Sequence, residues 1–163
     1  MWRAKAGHDL RLSALVTNDM TLAIRTMGDE LSSEGSATFD LLVEGETREL
    51  HPIVRDEVYR ITREALRNAF SHARASHIEA EITYGEQLFR LRICDDGGGI
   101  APGVLEKGRS GHYGLPGMRE RAAEIGAKLD IWSGAGTGTE IDLSIAGSIA
   151  YERRSSRFRK TAE

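Results

Sequence analysis

Two acids followed by three glycines, Asp95-Asp96-Gly97-Gly98-Gly99, close the apolar run LFRLRIC. Asp-Gly is ordinary turn chemistry, because glycine takes φ > 0 without steric cost. The same stretch also suits a place where something must approach the backbone closely. Upstream, Glu64, Asn68 and His72 lie four residues apart and, at about 100° per residue, form one slowly drifting polar stripe on a helix. An asparagine turned toward a core needs a hydrogen-bond partner. Beside a glutamate, its oxygen can serve a hard cation such as Mg²⁺, which keeps several waters and takes few protein ligands. A third set is GHYGLPGMRERA, where Gly111, Gly114 and Gly117 lead into a helix. A helix N-terminus offers unpaired N–H groups and the positive end of the dipole, so glycines there let a phosphate rest on the backbone. Pro116 has no N–H to offer but suits the first turn.

The elements that must position these residues can be read from periodicity. Met20, Ile24, Met27 and Leu31 predict a helix over residues 19–31, capped by Thr17 or Asn18. SSEGS breaks it, and residues 39–43 read as a strand. His51-Pro52 opens a long helix to about residue 73, with Val54, Val58, Ile61, Ala65 and Ala69 on one face. Two alternating runs, Ile78-Ala80-Ile82 and Phe89-Leu91-Ile93, are joined by YGEQ and predict a hairpin. An irregular stretch follows to residue 113, then a helix over about 116–125 and two strands, 127–132 and 139–145, around SGAGTG. The order α, β, α, β, β, loop, α, β, β favours a mixed α+β layer over a regular βαβ repeat.

Length and composition set outer bounds. A chain of 163 residues with 40% hydrophobic and 29% charged residues has the size and make-up of one globular domain. No apolar run approaches the eighteen or so residues a membrane span needs, and MWRAKAGHDLRLSAL lacks the apolar centre of a secretory signal. A lone Cys94 excludes an internal disulfide and suits a reducing compartment. Residues 151–163 hold five basic residues and two acids, a local +3, so the net −3 of the chain leaves −6 on the first 150. An acidic body argues against a general nucleic-acid binder, since affinity for phosphate backbones comes chiefly from Lys and Arg. No G-x-x-x-x-G-K-[ST] occurs, and neither glycine spacing nor strand order gives a dinucleotide fingerprint.

Four motifs in fixed order carry a resemblance. EALRNAFSHA, DDGGGI, GHYGLPGMRERA and GTGTE are similar to the asparagine box and three glycine boxes of the GHKL ATPase superfamily. Within it, residues 17–145 resemble the catalytic ATP-binding domain of bacterial two-component sensor histidine kinases, in the short-lid group with a GLxGMRERA box. HPIVRDEVYRITREALRNAFSHA and GHYGL further resemble kinases attached to large periplasmic propeller sensors. The resemblance implies a two-layer α/β sandwich: a mixed sheet of about five strands with three main helices on one face. It implies ATP and Mg²⁺ as cofactors. Asn68 would hold the ion, and Asp95 would accept the adenine amino group's hydrogen bond while Gly97 and Gly99 leave room for the nucleotide. Gly111, Gly114, Leu115 and Gly117 would shape a lid, over about 101–113, and a phosphate cradle. Thr139 would sit near the base edge or its bound water. Glu64 matches the position that orients water in hydrolytic relatives. His72 would approach the phosphates; Lys107 and Arg109 are solvated loop charge or phosphate contacts. Asp96 reads as a turn or solvent-facing residue.

The resemblance also implies partners. Phosphoryl transfer to histidine needs an acceptor on a two-helix dimerisation hairpin, and the single helix and strand between His8 and the long helix leave no room for one. His8, beside Asp9, is the only histidine set like an acceptor. The expected organisation is a linker remnant over 1–16, the catalytic domain over 17–147 and a basic tail over 148–163. The hairpin and a downstream response regulator would lie elsewhere, in the cytoplasmic part of an inner-membrane receptor. Two other readings share the motifs: a GHKL serine kinase acting on a regulatory partner, and a nucleotide-binding module without catalysis.

Overall fold

The computed structural model describes residues 19–71, 74–100, 114–134 and 136–151. Asp19 starts the first helix, α1 (Met20–Glu34), its carboxylate accepting from the Leu22 amide at 2.9 Å. The cap thus falls at Asp19 rather than at Thr17 or Asn18, because only a short polar side chain immediately before the first turn reaches the third helical N–H. Strand β1 is Thr38–Glu44. Helix α2 (Pro52–Ser71) begins at a proline, and His51 supplies both the first helical carbonyl, to Arg55 at 2.8 Å, and a ring nitrogen for the Ile53 amide at 3.3 Å. Strands β2 (His77–Tyr84) and β3 (Leu88–Asp95) form the expected hairpin. Helix α3 (Leu115–Glu124), strands β4 (Lys128–Gly134) and β5 (Gly138–Ala146) and a single turn, α4 (Gly147–Ala150), complete the order.

The five strands make one mixed sheet in the order β1-β2-β3-β5-β4. β1 runs parallel to β2, with α2 as the crossover between them; every other pairing is antiparallel. Because side chains alternate across a strand, register decides what each face presents. On the inner face, Leu91, Leu143 and Leu129 stand opposite one another across β3, β5 and β4, and the next row is Ile93, Ile141 and Ile131. These rows, with Ile78, Ala80 and Ile82 of β2, meet Ile24 and Met27 of α1, Ile61, Ala65 and Leu66 of α2 and Met118 of α3 in one core. Each such Leu or Ile contributes roughly 1.5–3 kcal/mol by leaving water. Thr62, fully buried in α2, satisfies its hydroxyl by donating to the Val58 carbonyl at 2.6 Å.

The outer face is charged. Arg92 pairs with Glu81 at 3.3 Å and Glu140 at 2.9 Å, and Arg90 forks onto Asp142. Such half-exposed pairs are worth little individually, about 0–1 kcal/mol, but they keep that face wet and penalise a shifted register. The fold continues past residue 147: Ala150 and Tyr151 are buried, and the Tyr151 hydroxyl donates to the Gly85 carbonyl in the β2–β3 turn at 2.6 Å. Arg48 lies over the Tyr151 ring at 3.8 Å, and Leu50 bridges to Tyr151. Residues 147–151 thus pack onto the rest of the domain.

Candidate nucleotide site

The third row of the inner face is polar. Two positions beyond Ile93, Ile141 and Ile131 come Asp95, Thr139 and Ser133, aligned across β3, β5 and β4. The apolar floor of the sheet thus ends in a carboxylate and two hydroxyls. Asp95 accepts from the Gly97 amide at 2.8 Å. Burial pushes its carboxyl pKa above the ordinary value, and the N–H groups of Gly97 and Thr139 pull the other way. Its neighbour behaves oppositely. Asp96 accepts from the Ser76 hydroxyl at 2.6 Å and from the Ser76 and His77 amides at 2.8 and 3.0 Å. Those donors, the Ser76 hydroxyl foremost, hold its carboxyl down at about 2. The two acids divide their work: Asp96 fastens the start of β2, and Asp95 faces the site.

What comes closest to the glycines is the chain's own backbone. Gly99 has φ 79°, and a Cβ there would lie 2.3 Å from the Gly134 carbonyl oxygen. Gly138 has φ 88°, and a Cβ there would lie 1.9 Å from the Asp95 carbonyl oxygen. With the Gly136 amide donating to the Gly98 carbonyl at 3.1 Å, the DDGGG segment and the β4–β5 turn are sewn together. A cavity of about 460 Å³ opens beside this seam, bounded by Asp95, Ser133, Thr139, Cys94, Trp132 and Glu140.

The helices supply a second wall. Asn68 is buried on α2 and Glu64 is half-buried one turn earlier. Gly114, at φ 59° and ψ 21°, precedes α3 without any side-chain cap. A Cβ at Gly114 would lie 2.7 Å from both Cγ and Oε1 of Glu64, so the two meet only because one is glycine. Leu115 is fully buried and anchors α3 in the core, leaving its backbone as what it can present. The first intrahelical bond is Met118 N–H to Gly114 at 3.0 Å, so the amides of Leu115 and Gly117 precede it, and Gly117 is open around its Cα. Between α2 and α3 lies a cleft of about 380 Å³ bordered by Arg60, Arg63, Arg67, Arg121, Glu64 and Gly114. Glu57 ties Arg60 and Arg121 together at 3.4 and 3.3 Å.

Of the expected site residues, the structure brings Asp95, Gly97, Gly99 and Thr139 to the sheet end and Glu64, Asn68, Gly114, Leu115 and Gly117 to the helix end. His72, Gly111, Lys107, Arg109 and His8 lie outside the described residues. Sequence reasoning passed over Ser133 and the arginines of the cleft. The arginines had a signal: 60, 63 and 67 follow helical spacing on α2. Among the described residues no group of three or more His, Cys, Asp or Glu converges as a metal cage. Asn68, a carboxamide buried on α2 one turn from Glu64, is the kind of single oxygen donor that suits an ion taking one or two protein ligands and completing its shell with phosphate and water.

A mixed sheet with helices on one face, a polar, glycine-sewn sheet end and an uncapped helix N-terminus after Gly114 are the features of an ATP-binding domain of the GHKL class. The chain belongs to the histidine kinase-, DNA gyrase B- and HSP90-like ATPase family, whose profile matches residues 53–147. Among curated relatives, the sensor protein VraS of Staphylococcus saprophyticus is 33% identical over 143 residues, 80% of this chain and 40% of VraS. The sensor histidine kinase LiaS of Bacillus subtilis is 35% identical over 92 residues, 56% of this chain and 25% of LiaS. The chain therefore spans well under half of the length of these relatives. Among solved structures, the histidine kinase domain of the Erythrobacter litoralis EL346 blue-light activated kinase superposes with a TM-score of 0.69 at 16% identity, covering 90% of this chain and 74% of that one. The catalytic domain of histidine kinase ThkA gives 0.65 at 16% identity, covering 80% and 93%.

Proposed function

We propose that this chain is the ATP-binding catalytic domain of a sensor histidine kinase: it binds Mg-ATP and donates the γ-phosphoryl group to a histidine on a separate dimerisation domain, which in turn serves a response regulator. The observation that carries this reading is the half-buried Asp95, aligned in a polar row with Thr139 and Ser133 at the end of the sheet, in a chain of this family. Asp95 accepts the hydrogen bond of the adenine amino group, and Thr139 lies beside it at the base edge. At the helix end Asn68 holds Mg²⁺, and the amides of Leu115 and Gly117 receive phosphate oxygens. When bound, the ion screens the phosphate charge and orients the terminal phosphoryl. Glu64 packs against Gly114 and positions the start of α3. Among the described residues no helix is long and apolar enough to cross a membrane; a cytoplasmic place for the domain, next to a membrane-borne sensor, belongs to the same proposal.

The test is calorimetry with ATP, with and without Mg²⁺, on the chain and on Asn68→Ala. The chain binds ATP, and Asn68→Ala loses the Mg²⁺-dependent part of the affinity while keeping the rest. An equal loss with and without metal would remove the ion from Asn68. For the transfer step, labelled ATP with the chain alone gives no phosphohistidine, because phosphoryl transfer needs an aligned acceptor. Adding the dimerisation domain of the same kinase gives acid-labile label on that domain. Acid-stable label on serine of a partner would overturn the histidine-kinase reading in favour of a serine kinase.

A further inference from the structure

The polar row holds one residue, Ser133, without a part in the chemistry so far. We infer that Ser133 fixes the hydrogen-bond polarity of Thr139, making it an acceptor toward the base edge, and so contributes to selecting a purine that carries an amino group. The inference rests on the ATP reading above.

Ser133 Oγ has three neighbours. It accepts from the Ile100 amide at 2.6 Å, lies 3.2 Å from the Gly138 carbonyl oxygen and lies 2.9 Å from the Thr139 hydroxyl. A hydroxyl has one proton and two lone pairs. The Ile100 N–H can only donate, so it occupies one lone pair. The Gly138 carbonyl can only accept, and in the inferred arrangement the proton of Ser133 goes to it. Thr139 is left to donate to the second lone pair. With its own proton committed to Ser133, Thr139 presents only lone pairs to the rest of its surroundings. Directly opposite in register stands Asp95, whose carboxylate is also an acceptor. Two acceptors side by side match a group with two N–H hydrogens, such as the exocyclic amine of adenine. They oppose the carbonyl that hypoxanthine carries at the same ring position.

The surroundings hold the Ser133 side chain in place. A Cβ on Gly99 would lie 3.1 Å from Ser133 Oγ, and the seam from Gly136 to Gly98 holds the turn in place. Ser133 is thus a positioning residue: it acts on the base through Thr139 and carries the backbone of Ile100 at the same time.

The test compares Mg-ATP with Mg-ITP by calorimetry on the chain and its variants, each checked for cooperative thermal unfolding. The wild-type chain prefers ATP. Ser133→Ala frees the Thr139 hydroxyl to turn outward as a donor, and the ATP/ITP preference falls about threefold to tenfold, the worth of one neutral hydrogen bond. Ser133→Thr keeps the hydroxyl and the preference. Thr139→Val removes donor and acceptor together, so ATP weakens and the opposition to the hypoxanthine carbonyl is relieved, lowering the ATP/ITP preference. If Ser133→Ala does not fold, Ser133→Cys, with a weak donor and acceptor at similar volume, carries the same comparison. An unchanged ATP/ITP ratio in a folded Ser133→Ala or Ser133→Cys chain overturns the inference and leaves the ATP reading standing. A wild-type chain that binds neither nucleotide overturns that reading and this inference with it.

Discussion

The two ends of the site are built by different means. At the sheet end, Asp95, Thr139 and Ser133 are placed by strand register, and backbone presses on backbone at Gly99 and Gly138. At the helix end, Gly114 meets a flexible Glu64 side chain, Gly117 is open, and arginines border a wide cleft. One end is sewn together by its own backbone; the other offers open amides, beside arginines of which Arg60 and Arg121 are already held by Glu57. On the proposed function, a base, flat and fixed in shape, meets the rigid edge. A polyphosphate with its ion, charged and mobile, would then meet dipoles and side chains that can adjust.

The sharpest way to break this contrast is at the two glycines. Gly138→Ala puts a methyl group 1.9 Å from a backbone oxygen at φ 88°, where neither side can yield cheaply. We expect destabilisation of about 3 kcal/mol or more, read by chemical denaturation, with nucleotide binding lost alongside. Next in size is Asp95→Asn. Losing a charged acceptor in a half-dry setting weakens ATP by about 1.5–3 kcal/mol, tenfold to over a hundredfold, with little change in unfolding midpoint. Unchanged affinity would remove Asp95 from the base. Gly114→Ala is milder, about 1–2 kcal/mol, from the left-handed backbone and a side-chain clash. Combining it with Glu64→Ala recovers the clash part; a Gly114→Ala cost that equals that of Gly138→Ala would erase the distinction between the ends.

The smallest effect is a pH signature of the paired acids. The folded carboxyl of Asp96 titrates at about 2, below its ordinary 3.8, so its contribution is present above the unfolded value and is lost as pH falls from about 4 toward 2. Asp95, raised by burial, works in the opposite sense, and protonating it on acidification favours the folded state. Thermal midpoints should fall less steeply from about pH 4 to 2 in Asp96→Asn than in the wild type, while Asp95→Asn should differ from the wild type above about pH 4, where it loses the gain that protonating the raised Asp95 carboxyl brings. Parallel curves for all three would show that the neighbouring acids do not differ.

Much of this was legible in the chain itself. The apolar stripe of α2 from Val54 to Ala69, the YGEQ hairpin and the glycines before α3 are local signals, set by helix period and turn chemistry, and each element lies within a few residues of its expected place. Asp95 stands out as a carboxylate before three glycines at the end of an apolar run, and its expected role comes from the resemblance to the GHKL motifs. The parallel pairing of β1 with β2 was not, since it joins residues nearly forty apart through α2 and leaves no local mark. Ser133 was hidden for the same reason. In WSGAGTG it reads as one more turn residue, and it acquires meaning only when register sets it opposite Thr139. The arginines of α2 were overlooked because a charged stripe on a helix is usually just a wet face.

The strand order has a consequence for synthesis. β3 is the middle of the sheet, yet its neighbour on one side, β5, begins roughly forty residues later in the chain. At about 5–20 residues per second, a ribosome leaves that edge of β3 open for about 2–8 seconds. An open edge rich in Phe89, Leu91 and Ile93 invites pairing with another nascent chain, and Arg90 and Arg92, alternating with them, are the kind of charge that discourages it. Arginines that face Asp142 and Glu140 in the finished domain thus guard the strand before those partners have been made.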